Sequence, residues 1–228
     1  MRMFDFNKTT KNVGGWLTEA EGLSLYNTAK KIKTGNIIVE VGSWKGKSTI
    51  CLANGSKDGN KVKIFAIDPH IGSSEHQKMF GKVDTFEEFK QNINRAGIAE
   101  FVQPVRDTSE SVAKNFNKQI EFAFIDGAHE YSFVKLDFNL WLPKVMNGGI
   151  LAFYDSWHFV GPNLATAIPL LTSSKIKNPR LVDTITYFEK IERNFLFDRL
   201  RNIIFVIYRT LFGIRGFLKL KYQGSKVI

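Results

Sequence analysis

Four carboxylates in this sequence stand at positions where a side chain can meet a ligand. Glu40 sits near the end of the β-branched run Ile37-Ile38-Val39-Glu40-Val41, just ahead of the turn Gly42-Ser43-Trp44-Lys45-Gly46. Asp68, Asp126 and Asp155 each close a further apolar run, Lys63-Ile-Phe-Ala-Ile-Asp68, Glu121-Phe-Ala-Phe-Ile-Asp126 and Ile150-Leu-Ala-Phe-Tyr-Asp155. A carboxylate beside a glycine turn can accept hydrogen bonds from a cationic or hydroxyl-bearing ligand. The turn itself brings backbone N–H groups and bare glycine Cα atoms close to that ligand. Asp68 follows Gly46 by 22 residues, about the interval at which a ribose-binding acid follows the glycine turn of a nucleotide-binding βαβ unit.

The elements that must position these acids alternate along the chain. The run 37–41 has the composition of a strand buried on both faces of a parallel sheet, and Ser48-Thr49-Ile50-Cys51-Leu52-Ala53 opens a helix that ends at Asn54-Gly55. Strands follow at 63–68, 101–105, 121–126 and 150–155, the last entered through a turn at Gly148-Gly149. Helices are expected at 86–96, where Gly97 stops the run, at 133–142, where Pro143 does, and at 164–171. Residues 106–110 form a polar tip and helix N-cap. Upstream, Thr18 and Glu21 have capping-box spacing for a helix through residue 31. Strand–helix alternation predicts a parallel sheet with right-handed crossovers, so Asp68, Asp126 and Asp155 share its C-terminal edge, where open α/β folds bind ligands. Residues 181–191 alternate loosely, as a terminal hairpin would. The polar segment 69–84, with His70, His76 and Gly72-Ser73-Ser74, reads as a lid or a long loop.

Composition narrows the setting. With 228 residues, 43% hydrophobic and 24% charged, the chain suits one α/β domain and an appendage. A single cysteine, Cys51, rules out an internal disulfide framework and a cysteine-cluster zinc site; as a small buried hydrophobe it fits a reducing compartment. The first residues show no apolar leader, and a cytoplasmic location is the expectation. Net charge is +10, unevenly placed. Residues 193–228 hold eight Lys/Arg against one acid, Asp198, whereas residues 1–192 hold 24 against 21. The near-neutral main domain offers no nucleic-acid groove; the basic tail calls for an anionic partner.

Which ligand occupies the turn depends on glycine spacing. A phosphate loop has four residues between its glycines before Gly-Lys-Ser/Thr, and here there are three, with Val41 where glycine should stand. That leaves a phosphate-loop triphosphatase a distant alternative, with 122–126 imitating its second strand. A nicotinamide site would want G-x-G-x-x-G, and Gly42-Ser43-Trp44 lacks the second glycine.

Glu-x-Gly-x-x-x-Gly after an apolar strand, with an acid ending the second strand, instead resembles the class I S-adenosylmethionine-dependent methyltransferases. The motifs Leu17-Thr18-x-x-Glu21-Gly22-x-x-Leu25-Tyr26, Val39-Glu-Val-Gly-Ser-Trp-Lys-Gly-Lys-Ser-Thr49, Ile67-Asp68-Pro69, Phe124-Ile-Asp-Gly-Ala-His-Glu-Tyr131 and Gly148-Gly-Ile-Leu-Ala-Phe-Tyr-Asp155 look like the small bacterial branch associated with glycan and natural-product pathways. The resemblance covers about residues 15–190. It implies a Rossmann-like, seven-stranded, mostly parallel α/β sheet flanked by helices, with the last strand antiparallel.

By position the resemblance places Glu40, Gly42, Ser43 and Gly46 around the methionine part of S-adenosyl-L-methionine, and Asp68 at the ribose. Asp107, Thr108 and Ser109 fall near the adenine, and Asp126 between the sulfonium and the acceptor. It implies O-methylation of a hydroxyl on a sugar, glycan intermediate or small molecule; the alternative is a scaffold protein that has lost catalysis. His129, three residues beyond Asp126, is the candidate base, since imidazole titrates where a hydroxyl proton can be taken at neutral pH. A second-shell or helix-capping role for His129 is the competing reading. Asp126 and Asp155 together would hold Mg²⁺ or another divalent cation in metal-dependent relatives. Here Ser156, a poorer ligand, follows Asp155 where those relatives place a second Asp or Asn, and His158 either compensates or is simply a loop histidine.

The tail divides from the domain at 192/193. Over residues 194–222 a helical wheel puts Leu196, Leu200, Ile203, Ile207, Leu211, Ile214 and Leu218 on one face, with Arg201, Arg209, Arg215 and Lys219 opposite. Its longest uncharged run, residues 202–208, is far short of the ~20 residues that span a bilayer. A basic amphipathic helix lying on an anionic inner-membrane surface is expected, against a helix packed on the domain or across a homo-oligomer.

Overall fold

The structure, a computed structural model, describes residues 4–73, 77–78 and 81–224, with the backbone alone for residues 212 and 214–224. Ser74 and His76 of the 69–84 segment lie outside the described residues, as do the side chains of Ile214, Arg215, Leu218 and Lys219.

Seven strands form one sheet: β1 Ile37–Val41, β2 Lys63–Ile67, β3 Val102–Val105, β4 Ile120–Ile125, β5 Val145–Phe153, β6 Ile176–Val182 and β7 Ile185–Lys190. Their spatial order is β3-β2-β1-β4-β5-β7-β6. β1 to β5 pair in parallel, and β7 runs antiparallel to both β5 and β6. Six strands therefore point one way and the last the other, as the resemblance implied. The 181–191 hairpin is real but begins earlier, at Ile176, and turns at Asp183, whose φ is 45°.

Eight helices are described: α1 Phe6–Thr10, α2 Glu19–Ala29, α3 Lys47–Asp58, α4 Phe86–Arg95, α5 Ser109–Asn115, α6 Tyr131–Trp141, α7 Val160–Thr172 and α8 Leu196–Gly224. The capping box forms as its spacing required: Thr18 Oγ1 accepts from the Glu21 amide at 3.2 Å and Glu21 accepts from the Thr18 amide at 2.9 Å. Apolar clusters fill both faces of the sheet, one beneath α2, α3 and α4 and the other beneath α5, α6 and α7. Burial on both faces explains why β1 and β4 read as continuous rather than alternating apolar runs.

Two of the boundaries that differ from the sequence reading have a direct steric cause. α3 runs straight through Asn54-Gly55, because Gly55 is a contact residue rather than a stop. A Cβ there would lie 2.2 Å from the Tyr26 carbonyl oxygen of α2. β5 passes through Gly148-Gly149 instead of starting after it. Ile120 pairs with Val145 and Phe122 with Ile150, a bulge that Gly148 accommodates at φ 84°.

The tail helix α8 packs on β6 and α7, with Phe205 and Val206 against the core and two polar side chains, Asn202 and Arg209, also turned inward. Asn202 is fully buried and donates to the Ile176 carbonyl at 3.1 Å. Arg209, assigned by the wheel to a solvated arc, is also fully buried. Its guanidinium donates to Thr166 Oγ1 at 2.7 Å, Thr186 Oγ1 at 3.1 Å and the Asn163 carbonyl at 3.0 Å. The wheel set Arg209 opposite the apolar stripe but not the direction the helix would face, since only packing decides that. Among the described residues no helix is long and apolar enough to cross a membrane.

Candidate active site

The parallel strands deliver Gly42, Asp68, Asp126 and Asp155 to one edge, and the turn after β1 is shaped by three left-handed residues. Gly42, Trp44 and Gly46 have φ of 85°, 46° and 90°. This backbone points successive amides inward, the geometry of an anion-binding nest. The nest is already filled from within. Asp68 Oδ2 accepts from the Ser43 amide at 2.8 Å and the Trp44 amide at 2.7 Å, and Oδ1 accepts from the His70 amide at 2.6 Å. A carboxylate offers about four acceptor positions, so Asp68 keeps one for a ligand.

The lysines of the turn face elsewhere. Lys45 pairs with Glu88 at 2.9 Å, and Lys47 donates to the Gly15 carbonyl at 2.8 Å. Both are half-buried rather than on the open surface. A phosphate would find the Ser43 and Trp44 amides already taken and both lysines paired elsewhere.

A cavity of about 340 Å³ opens beside this nest, a usual size for a small-molecule pocket. Gly42, Trp44, Asp68, Thr108, Ser109 and Asp126 line it, with Ile67, Pro69, Phe133 and Leu136 as apolar walls. Its acids are Asp68, Glu110, Asp126 and Asp137, and no Lys or Arg is among the described residues lining it. Such a site disfavours an anionic ligand and offers apolar walls to an uncharged part of one.

Four other residues expected near the ligand do not line this cavity. Glu40 is fully buried behind the turn, with its oxygens taken by Ser48 Oγ at 2.6 Å and Thr49 Oγ1 at 2.5 Å. Burial pushes its carboxyl up to about 7, against the lowering effect of those two hydroxyls. It ties β1 to the start of α3. Ser43 contributes its amide to Asp68 and its side chain is buried. Gly46 packs against Phe89 as the residue before α3. Asp107 caps α5 from outside, accepting from Ser111 Oγ and the Thr108 amide, which hold its carboxyl below the usual range.

Asp137 was missed by the sequence reading. It is buried in α6 between Val134 and Trp141, lines the cavity, and accepts from Ser109 Oγ, which in turn accepts from Trp141 Nε1 at 2.8 Å. Burial raises its carboxyl to about 6. The signal was present: Val134, Asp137, Phe138 and Trp141 share one helical face, and an acid on an otherwise apolar face needs a partner.

Beyond Asp126 lies a second group of side chains. His129 Nε2 is 3.4 Å from Asp155 Oδ2, and His158 Nδ1 is 3.7 Å from Asp155 Oδ1. The His129 ring stacks on Phe159 at 4.0 Å between centroids. Asp155 adopts φ 51°, an uncommon left-handed state for a residue with a side chain. Burial, then the charges of Asp155 and Glu40, hold Asp126 well above the usual carboxylate range.

The expected metal site at Asp126 and Asp155 is not supported. Both oxygens of Asp155 face histidines, and Ser156 is turned into the sheet, donating to the Thr184 carbonyl at 2.7 Å and lying 2.6 Å from Thr186 Oγ1. A hard divalent cation wants six or so oxygens. Among the described residues no group of three or more His, Cys, Asp or Glu is arranged to hold one.

A family model described as a methyltransferase domain matches residues 39–156. Two curated relatives, both uncharacterized proteins, are 28% identical over 123 residues (Sinorhizobium fredii) and 32% identical over 120 residues (Acanthamoeba polyphaga mimivirus). The matches take in 52% and 51% of this chain but only 13% and 50% of those proteins. Among solved structures, the O-methyltransferase NovP superposes with a TM-score of 0.63 at 14% identity, over 76% of this chain and 80% of that one. The O-methyltransferase TomG of Streptomyces achromogenes, solved with S-adenosylmethionine, gives 0.57 at 14% identity, over 82% and 87%. Identities this low speak to the fold alone.

Proposed function

The chain belongs to the methyltransferase-domain family, and from that premise we propose that it transfers a methyl group from S-adenosylmethionine to a hydroxyl of a sugar, glycan intermediate or similar small molecule. The observation that carries this reading is the cavity itself, with four acids, no lining cation, and an amide nest closed by Asp68. S-adenosylmethionine matches that donor set, being cationic at sulfur and flat at adenine. When bound it supplies an activated methyl group for in-line displacement.

The chain's own residues then have limited tasks. Gly42 lets the β1 turn approach the ligand, and the remaining acceptor on Asp68 suits a ribose hydroxyl. Thr108, Ser109 and Asp137 meet the base end, with Phe133 and Leu136 as its walls. Asp126 lies where the sulfonium and the acceptor converge. His129 takes the acceptor's proton, and Asp155 at 3.4 Å stabilises the imidazolium so formed. The rest of the rate enhancement comes from alignment.

The test is transfer of labelled methyl from the donor to a panel of hydroxylated acceptors. Label in an ether product supports the reading; label found only on amines or thiols would overturn the O-methyl assignment.

A further inference from the structure

α8 turns an apolar stripe to solvent. Its inward arc carries Asn202 and Arg209 beside Phe205 and Val206, while Leu196, Leu200, Ile204, Ile207 and Leu211 stand between 46% and 69% exposed. Phe195 and Phe197, at its start, are 76% and 82% exposed. The neighbouring α7 repeats the pattern: Val160, Leu164, Ile168 and Leu171 fall on one helical face and are all exposed. Two helices in contact thus each leave an apolar stripe uncovered, beyond the scattered exposed residues of an ordinary surface.

We propose that this α7–α8 face docks on an anionic lipid surface. Charge selects that occupant. Residues 193–228 carry eight Lys/Arg and one acid, so a second copy seated face to face would bring two strongly basic tails together, whereas anionic headgroups complement them. The exposed guanidiniums sit where headgroups would meet them. Arg199 Nε is held by Asn194 Oδ1 at 3.2 Å and Arg201 by Asn178 Oδ1, on either side of the stripe by helical spacing. The helix lies in the interface rather than crossing it. Arg209 is the clamp that sets the direction, since its three neutral partners on α7 and β7 keep the polar arc inward.

This face also begins beside the chemistry. Phe159, stacked on His129, is directly followed by Val160, and Gly213 of α8 abuts Trp157. Docking therefore brings the acceptor end of the site to the lipid.

The experiment is co-sedimentation of the full chain with vesicles of phosphatidylcholine alone or with ~30% phosphatidylglycerol, alongside sedimentation velocity without lipid. It requires no turnover, so it succeeds or fails independently of the methyl-transfer reading. The full chain pellets with the anionic vesicles and is released by high salt. The double substitution Ile204→Glu and Ile207→Glu, on exposed positions that leave the melting temperature unchanged, lowers the partition coefficient by ~100-fold or more. Failure to pellet with anionic vesicles, or equal pelleting of the double variant, would overturn the proposal. So would a lipid-free dimer that the same substitutions dissolve, which would identify the occupant as a second copy.

Discussion

Gly42 is where the fold and the site constrain each other most tightly, and Gly42→Ala tests both. A Cβ at that position would lie 1.9 Å from the Asp126 carbonyl oxygen and 2.5 Å from its carbon. Ordinary carbon–oxygen contact is ~3.4 Å, so one strand end must retreat by roughly 1.5 Å. Neither can do so cheaply, because the Gly42 amide donates to the Ile67 carbonyl at 2.9 Å and the Asp126 amide to the Val41 carbonyl at 2.7 Å. Losing those two bonds costs ~2 kcal/mol, a left-handed alanine ~1–2, and the residual overlap ~1–3. A total of ~4–7 kcal/mol corresponds to a fall in melting temperature of ~10 °C or more for a domain of this size. Gly148→Ala is the internal control. It has a similar positive φ, 84°, but nothing within 4 Å of the added carbon, so strain alone should cost ~2–8 °C. Thermal denaturation of both variants, with calorimetric titration of the methyl donor, makes the comparison. If Gly42→Ala melts with Gly148→Ala and keeps donor affinity within twofold, the tight junction of β1 and β4 is not what shapes the cavity.

Three further outcomes follow. Glu40 is raised by burial from its ordinary 4.5 to about 7, so the folded state binds more protons than the unfolded one, and stability falls as pH rises from about 4.5 through 7, by roughly 3 kcal/mol. Glu40→Gln should flatten urea midpoints over that window, and an unchanged slope would show that Glu40 is not its source. His129→Ala should lower kcat by ~10²-fold or more with donor affinity intact, and Asp155→Asn should give a smaller loss; full turnover in His129→Ala would remove it as the base. Arg209→Ala should release α8 by ~2 kcal/mol, seen as faster amide exchange through residues 196–211 with β1 and β4 still protected; unchanged exchange would show the clamp is dispensable.

Much of the scaffold was legible because its signals are local. Strand-terminal acids mark the C-terminal edge wherever β-branched runs end, and the Thr18 capping box and Gly97 stop depend only on nearby residues. What was not legible depends on partners distant in sequence. Gly55 looks like a helix stop until Tyr26 is known to lie against it. Asp68 reads as a ribose acid, but its main hydrogen bonds go to the turn 24 and 25 residues before it. Arg209 is a solvated charge on any wheel, and only Thr166, Thr186 and Asn163 turn it inward. Asp137 lay on a visible apolar face, yet Ser109, its partner, comes from another helix.

The acid-lined cavity between Gly42 and Asp137 is proposed to bind a sulfonium nucleoside and not a phosphate. Calorimetric titration of the full chain with S-adenosylmethionine, and separately with ATP and Mg²⁺, tests it most directly. The first should bind saturably, with a Kd of ~100 µM or tighter, weakened by about tenfold or more in Asp68→Ala, and the second should give no heat. Absence of binding at millimolar S-adenosylmethionine, or competition between the two ligands, would contradict it.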